Sequence, residues 1–328
     1  SYEFYINSLK IFIKINSLKN SIKINLINIM SKFSLNTVNN LAKFNLIPDE
    51  KRGIINKVML FTNARDEKNI KEWAAHHLLI GFDYVYIFDH KSKIPIQSEF
   101  TNFDNRVYVE RCEIPNKVKL ILMSRAANIA KKFNVDWMIY LDADEFLILN
   151  CCQNVKQLLN TFKFSDQLAI NWLPFGSNNH IKEPDGLILE NYTRSDDRLN
   201  KHIKSFVRPS QIRSVSSPHF YNIMNPNRDI TITNKIKKVN SPFNECNVLF
   251  SQALAYIAHY AMQSEETYIK RKIDLPTDHT GEYRGEFNSA LFHQSHNSTE
   301  NLIPKNKYAN KVKMFLEHYD KTSNNIEK

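Results

Sequence analysis

Trp137-Met-Ile-Tyr-Leu-Asp142-Ala-Asp144-Glu145-Phe146 runs five apolar or aromatic residues into three acids. Such a run reads as a strand buried on both faces that reaches the surface at its carboxyl end. Its acids emerge together, which a solvated run of charge would not do. Asp142 and Asp144, one residue apart, can project to the same side of an extended chain, close enough to repel each other unless a cation intervenes. Their hard oxygens suit Mg2+ or Mn2+, which keep waters and complete their shells with substrate phosphate oxygens. An Asp-x-Asp triplet is common by itself, and its position after a strand is what gives it weight.

Outward from that strand, short apolar runs alternate with helical periods. Upstream, the pattern predicts strands over 58–63, 84–89 and 107–109, and helices over 69–79, closed by Gly81, and over 118–132. Downstream it predicts a helix over 155–162, a strand over 168–173, a polar stretch through 234 that could carry acceptor specificity, a strand over 253–259, and helices over 265–272 and 308–319. This alternation is the signature of βαβ units and an α/β fold, a mainly parallel central sheet flanked by helices. Asn63, Asp89 and Asp142 each end a strand, and in open α/β sheets ligands bind outside the carboxyl ends of the strands. The pair His76-His77 is expected to place one ring outward and one inward, since adjacent helix positions do not face one site.

The chain divides into a basic arm over 1–56, a body over 57–275 and a helical extension over 276–328. Nine Lys and Arg stand against three Asp and Glu in residues 1–57, whereas the rest holds 35 against 31. The excess charge is therefore N-terminal, and a nearly balanced body argues against a nucleic-acid groove. In the arm, Ile11, Ile15, Leu18, Ile22, Leu26, Ile29 and Phe33 recur at spacings of three and four, an amphipathic helix. It could lie on an anionic membrane surface, although packing on the chain's own body is the favoured reading. Cys112, Cys151, Cys152 and Cys246 lack metal or redox spacing. Without an apolar run long enough to span a bilayer or a secretory signal, a cytoplasmic location is expected, with membrane association through the arm as the second reading.

Several blocks together resemble glycosyltransferase family 92. They are Asn63-Ala-Arg-Asp-Glu67, Glu72-Trp-Ala-Ala-His76-His-Leu-Leu-Ile-Gly81, Asp83-Tyr-Val-Tyr-Ile-Phe-Asp89, the stretch Asp136 to Phe146, Asn171-Trp-Leu-Pro-Phe-Gly176 with His180, Lys204-Ser-Phe-Val-Arg-Pro209, Pro218-His-Phe220, and His259-Tyr-Ala-Met-Gln-Ser-Glu-Glu266 with Lys270. The resemblance implies a Rossmann-like GT-A fold and a metal-dependent enzyme. That enzyme would move a hexose from a nucleotide-diphospho-sugar, UDP-linked by expectation, to a hydroxyl on a glycan, lipid or protein, with inversion. It also implies that Asn63, Arg65 and Glu67 line the nucleotide pocket, that Asp89 approaches the uridine or its ribose, that Asp142 and Asp144 bind ribose and metal, and that His259 completes the metal shell. Where the family often carries Gln, the helix here reads Met123-Ser-Arg125-Ala-Ala-Asn128. Arg125 could meet a phosphate there, and a surface pair with a carboxylate is the alternative.

An inverting transfer needs a general base near the acceptor hydroxyl. His180, Glu183 and Asp185 follow the Phe175-Gly176 block and are its candidates. Two other readings compete: a GT-A-like module that binds a glycan or partner without catalysis, and a sugar-nucleotide nucleotidyltransferase. The second usually needs a glycine-rich phosphate loop, which the 6 glycines do not form.

Overall fold

The computed structural model describes residues 54–115, 118–231, 241–277 and 281–324. The basic arm expected over 1–56 lies almost wholly outside them. Nine strands form the central sheet: β1 (Val58–Ala64), β2 (Tyr84–His90), β3 (Val107–Cys112), β4 (Trp137–Tyr140), β5 (Glu145–Leu149), β6 (Gln167–Pro174), β7 (Ile203–Val207), β8 (Asp229–Thr231) and β9 (Ala255–His259). Their order is β3-β2-β1-β4-β7-β6-β9-β5, with β8 beside the first half of β6. The helices are α1 (Ile70–Leu79), α2 (Val118–Lys132), α3 (Val155–Thr161), α4 (Ile188–Asn191), α5 (Glu265–Tyr268), α6 (Ser289–Gln294) and α7 (Asn310–Asn324). This is the expected α/β architecture.

β1 is buried along its whole length, and alternate side chains feed two cores. Val58 and Leu60 join Trp73 of α1, while Met59 and Phe61 join Leu122 and Met123 of α2. Helices thus cover both faces, as a parallel sheet requires. Tyr308, Ala309 and Val312 of the C-terminal extension enter the same core as α1.

Two strands depart from the parallel run. β7 is antiparallel to both β4 and β6, and β5 is antiparallel to β9. The polar stretch through 234 therefore contains a central strand that periodicity did not reveal. The reversal has a consequence for function. β1, β4, β6 and β9 bring their carboxyl ends to one rim, and β5 and β7 bring their amino ends to the same rim.

β5 is the edge of the sheet, and its outward backbone groups are met by side chains, not by another strand. Trp73 Nε1 donates to the Glu145 carbonyl at 2.8 Å, His76 Nε2 lies 2.9 Å from the Leu147 carbonyl, and the Leu147 N–H donates to His77 Nε2 at 3.3 Å. The Leu149 N–H donates to Tyr308 Oη at 3.1 Å. The expectation of one exposed and one packed histidine is corrected here, because both rings are fully buried. They meet edge-on at 4.9 Å and straddle one residue of an edge strand, a target that two adjacent helix positions can share. On the same helix, both carboxylate oxygens of buried Glu72 accept from the N–H groups of Ile188 and Leu189, at 2.7 and 3.0 Å, and fix the start of α4.

Candidate active site

The rim gathers acids and cations in near balance. Asp142, just past β4, is contacted by Lys119 of α2 at one oxygen and by Lys204 of β7 at the other, the latter at 3.2 Å. Burial alone would raise its carboxyl, but the two ammonium groups outweigh it and hold Asp142 well below the usual carboxylate range. Lys204 also lies 3.4 Å from Glu145 and is itself buried. Its burial disfavours the charge, and the facing Asp142 and Glu145 more than restore it. Glu145 is pushed up to about 8, by burial first, with Lys204 opposing and the two aspartates adding.

Asp144 is buried one turn of chain further on. Its Oδ2 takes Arg271 at 3.1 Å and Lys272 at 3.3 Å, both from a wide π-type turn over Ile269–Ile273 that continues α5. Arg271 also reaches Glu67 at 2.8 Å. Burial works against the Asp144 charge, yet Lys272 and Arg271 hold its carboxyl far below normal. The other oxygen, Oδ1, faces His259 Nε2 at 3.7 Å, too far for a hydrogen bond. Burial lowers that imidazole to about 4, so it is neutral near pH 7. His259 stands opposite Glu145 in the β9–β5 register, which fixes its place at the rim.

Among the described residues, no three His, Cys, Asp or Glu side chains converge as a ready metal cage. What the geometry offers is a two-point set, Asp144 Oδ1 and a neutral His259 Nε2. A hard divalent ion that draws its remaining ligands from phosphate and water fits such a pair. Asp142, expected as a third ligand, is instead engaged by two lysines, because β7 runs antiparallel and delivers Lys204 beside it.

The expected nucleotide residues separate into two groups. Asn63, at the end of β1, accepts from Lys119 at 2.9 Å and from Tyr140 Oη at 3.1 Å, which links it to Asp142. Glu67 joins through Arg271, and burial raises its carboxyl despite that guanidinium. Arg65 Nε is buried with no hydrogen-bond partner among the described residues, so it has donor capacity an anion could take. Asp89 and Arg125 depart from expectation. Both Asp89 oxygens are spent locally, accepting from the N–H groups of Ser92 and Ile96 in the loop that follows β2 and from Arg111 of β3. Arg125 is half-exposed, pairs with Glu110 and lies over the Phe88 ring, which is the surface pairing that was the alternative.

The candidate bases are also dispersed. Glu183 pairs with Lys68 at 3.4 Å and lies near enough to Glu67 to raise its carboxyl. Asp185 is exposed, and His180 Nε2 faces the Asn191 carbonyl at 3.3 Å, which holds the loop together. Lys119, Arg271 and Lys272 were missed from sequence, as each reads as an ordinary helix-surface cation. The available signal was that three acids gathered at a buried strand end need cations from elsewhere in the fold.

A family model, glycosyltransferase family 92, matches residues 59–278. The chain belongs to glycosyltransferase family 92. No curated protein matches this glycosyltransferase. Among solved structures, a cytidylyltransferase from Leptospira borgpetersenii serovar Hardjo-bovis (strain JB197) is similar at 12% identity and a TM-score of 0.25, over 47% of this chain and 60% of that one. Among the described residues, no helix of the glycosyltransferase is long and apolar enough to cross a membrane.

Proposed function

We propose that this glycosyltransferase moves a hexose from a UDP-sugar to a hydroxyl of a glycan, lipid or protein, with inversion, in the presence of Mn2+ or Mg2+. The observation that carries this reading is the buried Asp144, with one oxygen committed to Arg271 and Lys272 and the other turned to a neutral His259. Asp144 and His259 would hold the divalent ion, which when bound supplies Lewis-acid neutralisation of the donor's diphosphate. Arg271 and Lys272 add two fixed positive charges beside it, where negative charge grows as the sugar leaves. Asn63, Arg65 and Glu67 line the nucleotide end, and Asp142 orders that end through Lys119.

In the transfer, the acceptor oxygen forms a bond to the anomeric carbon as the bond from that carbon to the diphosphate oxygen breaks. The electron pair leaves with the diphosphate, and the acceptor proton passes to a carboxylate. Of the three candidate bases, Glu183 is favoured, because its charge reaches Glu67 and His180 is occupied with its own loop. Incubation with a panel of UDP-sugars and Mn2+, with UDP release as the readout, tests this. Release that survives chelation in full would remove the metal from the account, and no release from any UDP-sugar would favour the glycan-binding reading.

A further inference from the structure

Beside the charge cluster stands an aromatic assembly that meets it at His259 and at Lys204, whose Nζ lies 5.8 Å from the Trp172 ring centroid. Trp172, near the end of β6, is partly open to solvent, whereas Trp73 and Trp137 are fully buried. Three imidazoles surround its indole: His259 at 4.3 Å, His202 at 4.9 Å with planes only 19° apart, and His219 at 5.5 Å. Exposed Phe243 meets His202 edge-on at 4.9 Å. The His202 position follows from the reversed strand, since the residue just before β7 lands level with the end of β6, where the Trp172 N–H donates to its carbonyl at 2.8 Å.

Two of these imidazoles are fixed in one tautomer. His202 Nδ1 faces Asn200 Oδ1 at 2.7 Å, and His219 Nδ1 faces the Ile203 carbonyl at 2.9 Å. The Asn200 oxygen also accepts the His202 backbone N–H at 3.0 Å, which settles its orientation. Both partners are acceptors, so Nδ1 carries the hydrogen and Nε2 keeps a lone pair. Among the described residues neither Nε2 has a hydrogen-bond partner. Burial disfavours the charged form of both rings, in His219 to about 4. Two neutral acceptors beside a partly open indole suit a ligand with an apolar C–H face and outward O–H donors, which is the chemistry of a sugar ring.

We propose that Trp172, His202 and His219 form a sugar subsite that takes a pyranose, with two hydroxyls donating to the free Nε2 atoms. It deepens the donor reading and rests on it for its place in the reaction. His259 joins the two regions, since its Nε2 faces Asp144 while its ring touches Trp172. The subsite therefore begins one imidazole away from the diphosphate position, within reach of either the hexose in transfer or the acceptor sugar.

Acrylamide quenching of tryptophan fluorescence tests this, because Trp172 is the indole that solvent reaches. UDP, UDP-glucose and UDP-galactose are compared in Mn2+, and methyl glucopyranoside and methyl galactopyranoside are run with and without UDP. Ligands that carry a sugar should shield Trp172 more than UDP does, and His219→Ala should weaken that effect about tenfold, the worth of one such hydrogen bond. His219→Gln, which keeps an acceptor, should recover part of it. Shielding by UDP-sugars alone assigns the hexose in transfer, and shielding by methyl pyranosides assigns the acceptor. If UDP fails to bind while pyranosides still shield, the donor reading fails and the subsite stands. Equal shielding by UDP and UDP-sugars, with none from pyranosides, overturns the subsite, as does a complete lack of shielding.

Discussion

The two sides of β5 handle buried polarity in opposite ways. Along its outer edge, Trp73, His76, His77 and Tyr308 meet backbone groups of Glu145, Leu147 and Leu149, neutral group against neutral group, in a dry and closed arrangement. At its amino end, Asp142, Asp144 and Glu145 face Lys119, Lys204, Arg271 and Lys272. The first arrangement can only be kept or broken. The second is charge-compensated by long side chains that an incoming anion can draw to new partners. Buried polar residues are therefore not a mark of function by themselves, and histidines in particular can be wholly structural. What marks the rim is charge held in balance by groups able to change partners.

Substitutions on the two sides should separate these modes. The largest effect is expected from Lys204→Met, which removes the buried ammonium facing Asp142 and leaves that carboxylate with Lys119 alone of its two lysines, and should cost about 3–5 kcal/mol in denaturant unfolding. A loss under about 1 kcal/mol would mean that the rim charges are better solvated than their burial implies.

Glu72 provides a pH test on the structural side. Burial pushes its carboxyl up from 4.5 to about 7, against the two N–H bonds that favour the charge. The folded state then binds the extra proton between those values, so stability should fall as pH rises from about 4.5 to 7, by about 3 kcal/mol at most. Glu72→Gln should flatten that slope, and an unchanged pH profile of unfolding would contradict the assignment.

His77→Leu leaves the Leu147 N–H unsatisfied and should cost about 1–3 kcal/mol, with sugar transfer per folded molecule unchanged. A drop in kcat at full folding would move that edge into the functional half of the comparison. The smallest effect belongs to Arg125→Ala, whose half-exposed pair with Glu110 should be worth within about 1 kcal/mol. UDP affinity should not respond to it.

Much of this was legible in the chain. The apolar run from Trp137 and the alternation before it placed β1, β2, β4 and α2, because strands buried on both faces and amphipathic helices leave periodic signals. The same reading brought Asn63, Asp142 and Asp144 to one rim. β7 was hidden because Ile203-Lys-Ser-Phe-Val207 carries a lysine at a buried position, and only the tertiary contact with Asp142 and Glu145 makes that lysine admissible. Arg271 and Lys272 were illegible for a related reason. On a regular helix neighbouring residues diverge, and the wide turn that lets both reach Asp144 leaves no trace in residue type. The commitment of Asp89 to its own loop was likewise invisible, since a strand-ending aspartate suits a ligand and a turn equally well.

Calorimetric titration of UDP in Mn2+, on the wild-type chain and on Asp144→Asn with its fold checked by circular dichroism, goes to the centre of the account. Binding that requires Mn2+ in the wild type and falls at least about a hundredfold in the variant is the predicted result. UDP binding of equal strength in the folded variant, or undiminished by chelation, would contradict it.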